Sequence, residues 1–458
     1  MKKQSGILLL FFLLLLANQL TAQQADQKSV AVTVYNSNLG VVKDLRTIDI
    51  KSGTSQIAIT DVAQFIDPTS VHIDLDGEVL EQNYQYDLVS LDKILQKYID
   101  KDIQLIGENS EFIEGKLLSS FGGQIVLQKK DGGLLMLPNV SKYRFSVGTL
   151  PEGLITKPTL LWTVNSPKSG KQDVEISYQT SGMNWHAEYV AVLNSDDTKL
   201  DLNSWVSIEN KSGTTYKNAI LKLVAGDVNL VKNQQRLAYQ PQEVMVKGIS
   251  QPQFQEKEFF EYHIYNLQRP TTLANNETKQ ISLFETSDVK AVKKYFYGGG
   301  QNYYSSNASK TGKVDVIVEF ENTKENNMGM PMPKGKVRMY KPDGESLEFI
   351  GEDLIDHTPR NEKVRLKIGE AFDVLVEDVQ TENKKITDRV WEQAYEVKFK
   401  NRKKEDIKVE VERFLGLNWE ILNSSLSYKK KDTQNVIFNV PVPKDSETVL
   451  KFRVRYRY

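Results

Sequence analysis

The residues able to do acid–base or metal chemistry are few. Histidine occurs four times, at His72, His186, His263 and His357. No two lie within four residues of each other, so neither an HxH nor an HExxH ligand pair exists. His357 closes a run of acids, Asp343, Glu345, Glu348, Glu352, Asp353 and Asp356. Folded together, Asp353, Asp356 and His357 could serve as an acid–base set for hydrolysis. The plainer expectation is a solvated hairpin surface, since no calcium-loop spacing fits. Nucleophile motifs are lacking: there is no Gly-x-Ser-x-Gly, and the Lys310-Thr311-Gly312 triplet has no Ser-x-x-Lys companion. Gly298-Gly299-Gly300 lacks the terminal Lys-Ser/Thr of a phosphate loop. Neither a metal nor a cofactor is expected.

Aromatic residues offer binding chemistry instead. Tyr295, Phe296, Tyr297, Tyr303 and Tyr304 surround the three glycines, and that glycine content predicts a loop rather than a strand. Rigid rings on such a loop can stack on sugars, peptides or a partner surface, or fold back on their own sheet. Trp185 and His186 are further binding candidates. They lie on an alternating segment that sets Trp185, Ala187 and Tyr189 on one face and His186 and Glu188 on the other. Met328-Gly329-Met330-Pro331-Met332-Pro333 reads as an extended lead-in to the next strand, because proline fixes φ and blocks helix.

The elements that must position these residues are nearly all strands. Period-two alternation punctuated by Asn and Gly recurs along the chain and marks hairpins. One exception is Leu88, Leu91, Ile94, Leu95 and Tyr98, whose spacing predicts a single amphipathic helix over residues 88–99. Four closely spaced strands after it predict a small barrel-like part over residues 101–150. The fold class expected is mainly β and multi-domain, with immunoglobulin-like or β-sandwich units behind a small N-terminal β region carrying one helix. The N-terminal region would span residues 23–153, followed by a β domain over 154–230 and 259–380. A Gln- and Lys-rich linker or insertion would occupy residues 231–258, and a C-terminal sandwich module 381–458. Three strands share one pattern, ending at Asn210, Asn322 and Asn401 before a polar turn, which suggests related units. In the last strand Lys451, Arg453, Arg455 and Arg457 alternate with Phe452, Val454 and Tyr456, the pattern expected of a sandwich edge strand.

Composition narrows the setting. Lys2 and Lys3 precede an apolar run over residues 7–17 that ends near Ala22, which reads as a signal peptide over residues 1–22. That run is shorter than the roughly 18 residues a span requires. Export to the periplasm or cell surface is therefore expected, with cleavage near Ala22 and no integral span afterwards. The chain has no cysteine, which removes disulfides, thiolate ligands and a cysteine nucleophile. A formal net charge of −1 over 458 residues argues against nucleic acid as a partner.

Several separated motifs resemble, in order, those of the DUF4139 domain-containing proteins. They are Tyr178-Gln179-Thr180-Ser181-Gly182-Met183-Asn184-Trp185-His186-Ala187-Glu188-Tyr189, Trp205 to Asn210, and Leu221-Lys222-Leu223-Val224-Ala225-Gly226-Asp227-Val228-Asn229. Lys279-Gln280-Ile281-Ser282-Leu283-Phe284, Pro331 to Arg338 and Gly369-Glu370-Ala371-Phe372-Asp373-Val374 continue the series. The resemblance covers roughly residues 158–458. It implies no assigned activity and no catalytic set; a looser link to mucoidy-inhibitor proteins implies envelope biology. The function expected is that of an exported, non-enzymatic envelope protein that binds or scaffolds an envelope protein or polysaccharide. The alternative is a hydrolase of envelope polymer working through surface carboxylates.

Overall fold

The computed structural model describes residues 26–107, 111–226, 253–299 and 309–457. Strands make up 68% of the described residues and helices 4%, so the class is mainly β, with several separate sheets. The chain divides into two compact units. One takes in residues through Val32, Val41–Gly182 and Lys211–Ala219; the other takes in Thr33–Gly40, Met183–Asn210 and Ile220 onward.

In the first unit, strands Asp26–Tyr35, Gly40–Ile50, Gly170–Thr180 and His72–Asp74 lie side by side in that order. A second sheet sets Thr159–Ser166 between Gly53–Ile59 and Glu78–Gln85. The fully buried Trp162 of its central strand donates its indole N–H to Gln82 at 2.9 Å, so the ring is sequestered without an orphaned donor. Arg46 is buried too, held by Asp44 at 2.7 Å and Asp61 at 2.7 Å. The helix is Leu91–Lys97, shorter than the 88–99 its periodicity predicts. Ser90 caps it by accepting from the Lys93 amide, and Leu95 enters the core of the five-stranded sheet that follows. That sheet runs Tyr143–Ser146, Asp102–Gly107, Phe112–Phe121, Gln124–Gln128, Leu134–Leu137. Among the described residues its two outer strands do not pair with each other, so the expected barrel-like part is an open sheet.

In the second unit, a sheet runs in the order Ser346–Ile355, Gly335–Asp343, Met183–Leu193, Lys199–Asn210, Glu277–Gly299. The last of these is 23 residues long and serves two sheets. Its first half pairs with Lys199–Asn210; from Ala291 it pairs with Ser309–Glu321 and, over residues 295–299, in parallel with Ile407–Phe414. Asp288, at φ 56, marks the bulge where it changes partners.

The C-terminal strands, branches of one continuous sheet, fold around one core. Phe399, Val409, Phe438, Leu450 and Val454 fill it, each 0% exposed. The final strand, Ser446–Arg457, does alternate as its sequence indicates, with Phe452, Val454 and Tyr456 inward. It is not the edge, however: it pairs with Val390–Asn401 on one side and Trp419–Ser424 on the other. Its outward arginines face glutamates on both neighbours, Arg455 with Glu392 at 2.7 Å and Arg457 with Glu420 at 2.8 Å. The charge that would guard an edge here pairs across strands.

Two further expectations are corrected. Residues 295–297 belong to the long Glu277–Gly299 strand, not to a loop; Tyr295 and Tyr297 point into the core, where Val409, Val411 and Phe399 pack with them. Glycine depletes strands only on average, and here the two rings supply burial that outweighs it. Of the linker expected at 231–258, residues 231–252 lie outside the described residues, while Phe254–Phe259 forms a strand against Tyr262–Leu267.

Candidate functional site

The Met183–Leu193 hairpin strand sorts its side chains strictly by parity. Met183, Trp185, Ala187, Tyr189 and Ala191 are all at most 1% exposed. Trp185 donates its indole N–H to the Val224 carbonyl at 3.1 Å and packs edge-on against Tyr265 at 6.1 Å. Tyr189 donates to the Pro333 carbonyl at 2.7 Å and Tyr265 to that of Pro331 at 3.0 Å, so the Met-Pro lead-in is a partly buried strap pinned by two tyrosines. Burial drives the Tyr189 pKa far up, which keeps the hydroxyl a neutral donor.

The opposite parity forms a sheet face that is partly exposed, and there the polar groups converge. Register places Lys336, Glu188, Trp205 and Ser282 in one row across four strands. The next row sets Glu352, Arg338, Val190, Asn203 and Glu285 side by side, and a third sets His186 beside Ser207 and Gln280. Glu188 is the hub. Its carboxylate meets the His186 ring at 3.4 Å, the Gln280 amide at 3.0 Å and the Arg338 guanidinium at 3.9 Å. Gln280 also donates to Ser207 at 3.1 Å, and Arg338 reaches Glu352 at 3.5 Å. The hydrogen bond with His186 lowers the Glu188 pKa; partial burial opposes it, and the charges of His186, Arg338 and Lys336 add to the lowering. Glu188 is thus an ionised acceptor at neutral pH and unsuited to donate a proton as a general acid. Tyr340 and Phe349 stack edge-on at 5.7 Å at the margin of the same face.

The residues expected to carry chemistry are dispersed. Asp353 accepts main-chain N–H groups from Leu354 at 2.9 Å and Lys367 at 2.7 Å, and Asp356 accepts the His357 N–H at 2.8 Å. The His357 ring accepts the Lys334 N–H through Nδ1 at 3.2 Å. These three therefore hold the backbone of a strand end and its loop. Among the described residues no group of three His, Asp or Glu side chains is placed to hold a metal ion. Of the aromatic candidates, Tyr295 and Tyr297 are core, the ring of Phe296 lies 4.3 Å beneath the Arg365 guanidinium, and Tyr303 and Tyr304 lie outside the described residues. Trp185 is buried, which leaves His186 as the candidate that sits at the converging face.

Glu188, Trp205, Gln280, Arg338 and Glu352 escaped sequence reasoning as a group. Parity alone puts Trp205 opposite Val206 and Ile208, and that signal was available. The meeting of Arg338 with Glu188 was not, because it depends on the parallel pairing of Gly335–Asp343 with Met183–Leu193.

A mainly-β protein with a polar, aromatic-edged sheet face is the class these features define. The DUF4139 family, a domain of unknown function, matches residues 174–458, and the chain belongs to that family. The matched stretch contains the whole of the converging face. No curated protein matches the sequence.

Proposed function

We propose that this is an exported cell-envelope protein that binds or scaffolds an envelope macromolecule without turning it over. Export follows from the charged and apolar N-terminal segment with its cleavage near Ala22, and a loose kinship with mucoidy-inhibitor proteins fits an envelope setting. The observation that carries the binding reading is the state of the acids. Both carboxylate oxygens of Asp353 and one of Asp356 accept main-chain N–H groups, and Glu188 is an ionised hub whose neighbours hold it that way. A hydrolase needs one carboxyl kept protonated near its working pH and a second group across the scissile bond. A rigid sheet with pre-oriented polar groups meets what binding needs.

The test is co-sedimentation of the purified mature protein with an insoluble envelope fraction, with the supernatant assayed for released fragments, alongside cross-linking in cells. Binding and an intact polymer are expected. Soluble fragments whose release is abolished in Asp353→Asn or Asp356→Asn would establish the hydrolase instead. Absence of any captured or cross-linked envelope component would overturn the proposal.

A further inference from the structure

We propose that the partly exposed sheet face around Trp205 binds a neutral polysaccharide, with the indole under a sugar ring and Glu188, Gln280 and Arg338 engaging its hydroxyls; this deepens, and rests on, the binding reading above.

The first observation is where Trp205 sits. Its indole is half-buried on a face whose cross-strand partners are Glu188 on one side and Ser282 on the other. Apolar area left on a polar, partly exposed face gains nothing for the fold, since the core lies on the opposite parity with Val206 and Ile208. An amphipathic ring flanked by hydrogen-bonding groups suits a ligand with an apolar C–H face and a polar rim, which is the chemistry of a pyranose.

The second observation is preorganisation. Glu188, Gln280 and Ser207 are already linked at 3.0 and 3.1 Å, and Arg338 is held between Glu188 and Glu352. Planar carboxylate, amide and guanidinium groups fixed by one another lose little freedom when a hydroxyl arrives. Strands lie about 4.8 Å apart and rise about 3.3 Å per residue, so the Tyr340–Phe349 pair, two to three strands across and four residues along from Trp205, lies roughly 16–20 Å away, enough for a short stretch of glycan between two aromatic platforms.

The third observation selects the class. On this face Lys336 and Arg338 are matched by Glu188 and Glu352, with ion pairs at 3.1 and 3.5 Å between the two sides. Glu285, in the same row as Arg338, adds a further carboxylate, so the cations face at least as many acids and the face offers hydrogen bonds rather than a positive field. That disfavours an anionic polymer, which would need unpaired cations. A protein partner would need an interface centre depleted in charge, and charge is what fills this one.

The test is affinity electrophoresis of the full mature protein in native gels containing xylan, glucomannan, hydroxyethylcellulose, dextran or alginate. Retardation by at least one of the four neutral polymers is expected, with binding at least tenfold weaker in Trp205→Ala and Glu188→Gln. Gln280→Ala, at an exposed position, supplies a variant whose folding is not at stake and should also weaken retardation. Retardation by alginate alone, or variants that bind as the parent does, would overturn the inference. So would mobility unchanged by all five polymers; if the envelope fraction were still bound, the glycan assignment alone would fall, and if it too were not bound, the scaffold reading would fall with it.

Discussion

The side-chain amide of Asn401 donates to the main-chain carbonyl of Val442 at 3.1 Å, tying the end of one strand to the end of another across a wholly buried contact. The same amide donates to Glu405 and Pro443, and its oxygen accepts the Lys403 N–H. Asn322 and Asn210 repeat the device. Asn322 donates to Met330 at 2.8 Å and Pro359 at 2.9 Å, and Asn210 to Leu273 at 3.0 Å and Ala274 at 3.2 Å. All three are at most 1% exposed. Only an amide donates twice and accepts from one short side chain, which explains why the three strands end on Asn.

Replacing any one of them with Ala strands two or more buried carbonyls. Each of Asn210→Ala, Asn322→Ala and Asn401→Ala should therefore lower stability by about 3 kcal/mol. Asp at the same sites should be at least as harmful, because it cannot donate when ionised. Asn423→Ala, at an exposed position, is the control and should change stability by less than about 0.5 kcal/mol. Urea denaturation followed by far-UV circular dichroism measures the difference; equal midpoints for Asn401→Ala and Asn423→Ala would refute the role assigned to the buried amides.

Gly335 lies where the Gly335–Asp343 strand pairs in parallel with Met183–Leu193. A Cβ there would come within 2.0 Å of the Ala187 carbonyl oxygen, a contact backbone cannot yield without moving the strand. Gly335→Ala should destabilise the unit by more than about 2 kcal/mol and raise amide hydrogen exchange at residues 187–192. Unchanged exchange there would show that the strand pairing tolerates the methyl group.

Alkaline pH should attack the first unit. Burial, the largest cause, pushes the Tyr216 pKa from 10.0 up to about 12, and burial also drives the Tyr178 pKa well up. A raised folded pKa means the folded state keeps a proton that the unfolded chain sheds. The stability from Tyr216 is complete below pH 10 and is lost as pH rises through about 12. Tyr216→Phe should flatten this loss, read as denaturation midpoint against pH; an equal alkaline slope in parent and variant would contradict it.

Acid should act on Asp197. Partial burial works against its ionisation, but the ammonium groups of Lys293, at 2.6 Å, and Lys341 outweigh that and hold its pKa below the ordinary 3.8. A depressed folded pKa contributes stability that is present above pH 3.8 and disappears as pH falls through the lower folded value. Asp197→Asn should remove that acid dependence and lower stability at neutral pH, as monitored by tryptophan fluorescence during acid titration.

Much of the architecture was legible from alternation alone. The strand from Met183 to Leu193, the inward Phe452, Val454 and Tyr456, and the single helix all follow from period, since burial of one face is what makes the period. The recurrent strand-ending asparagines were visible as a pattern, though the carbonyls they bond lie up to 64 residues away and were not. Tyr295 and Tyr297 were misplaced because the adjoining glycines outweighed a residue-by-residue alternation that continues to Gly299. The candidate face was the least legible part. Its members come from five strands, one of them joined in parallel, and no local spacing encodes a cross-strand neighbour.

Fluorine NMR of protein labelled with 5-fluorotryptophan reads the surroundings of the Trp205 ring directly. The Trp205 resonance, assigned by its loss in Trp205→Phe, should shift progressively on titration with oligosaccharides of the retarding neutral polymer, while that of the buried Trp185 stays fixed. A Trp205 resonance that does not move at saturating oligosaccharide, or movement confined to Trp391 or Trp419, would contradict the assignment of this sheet face as the binding surface.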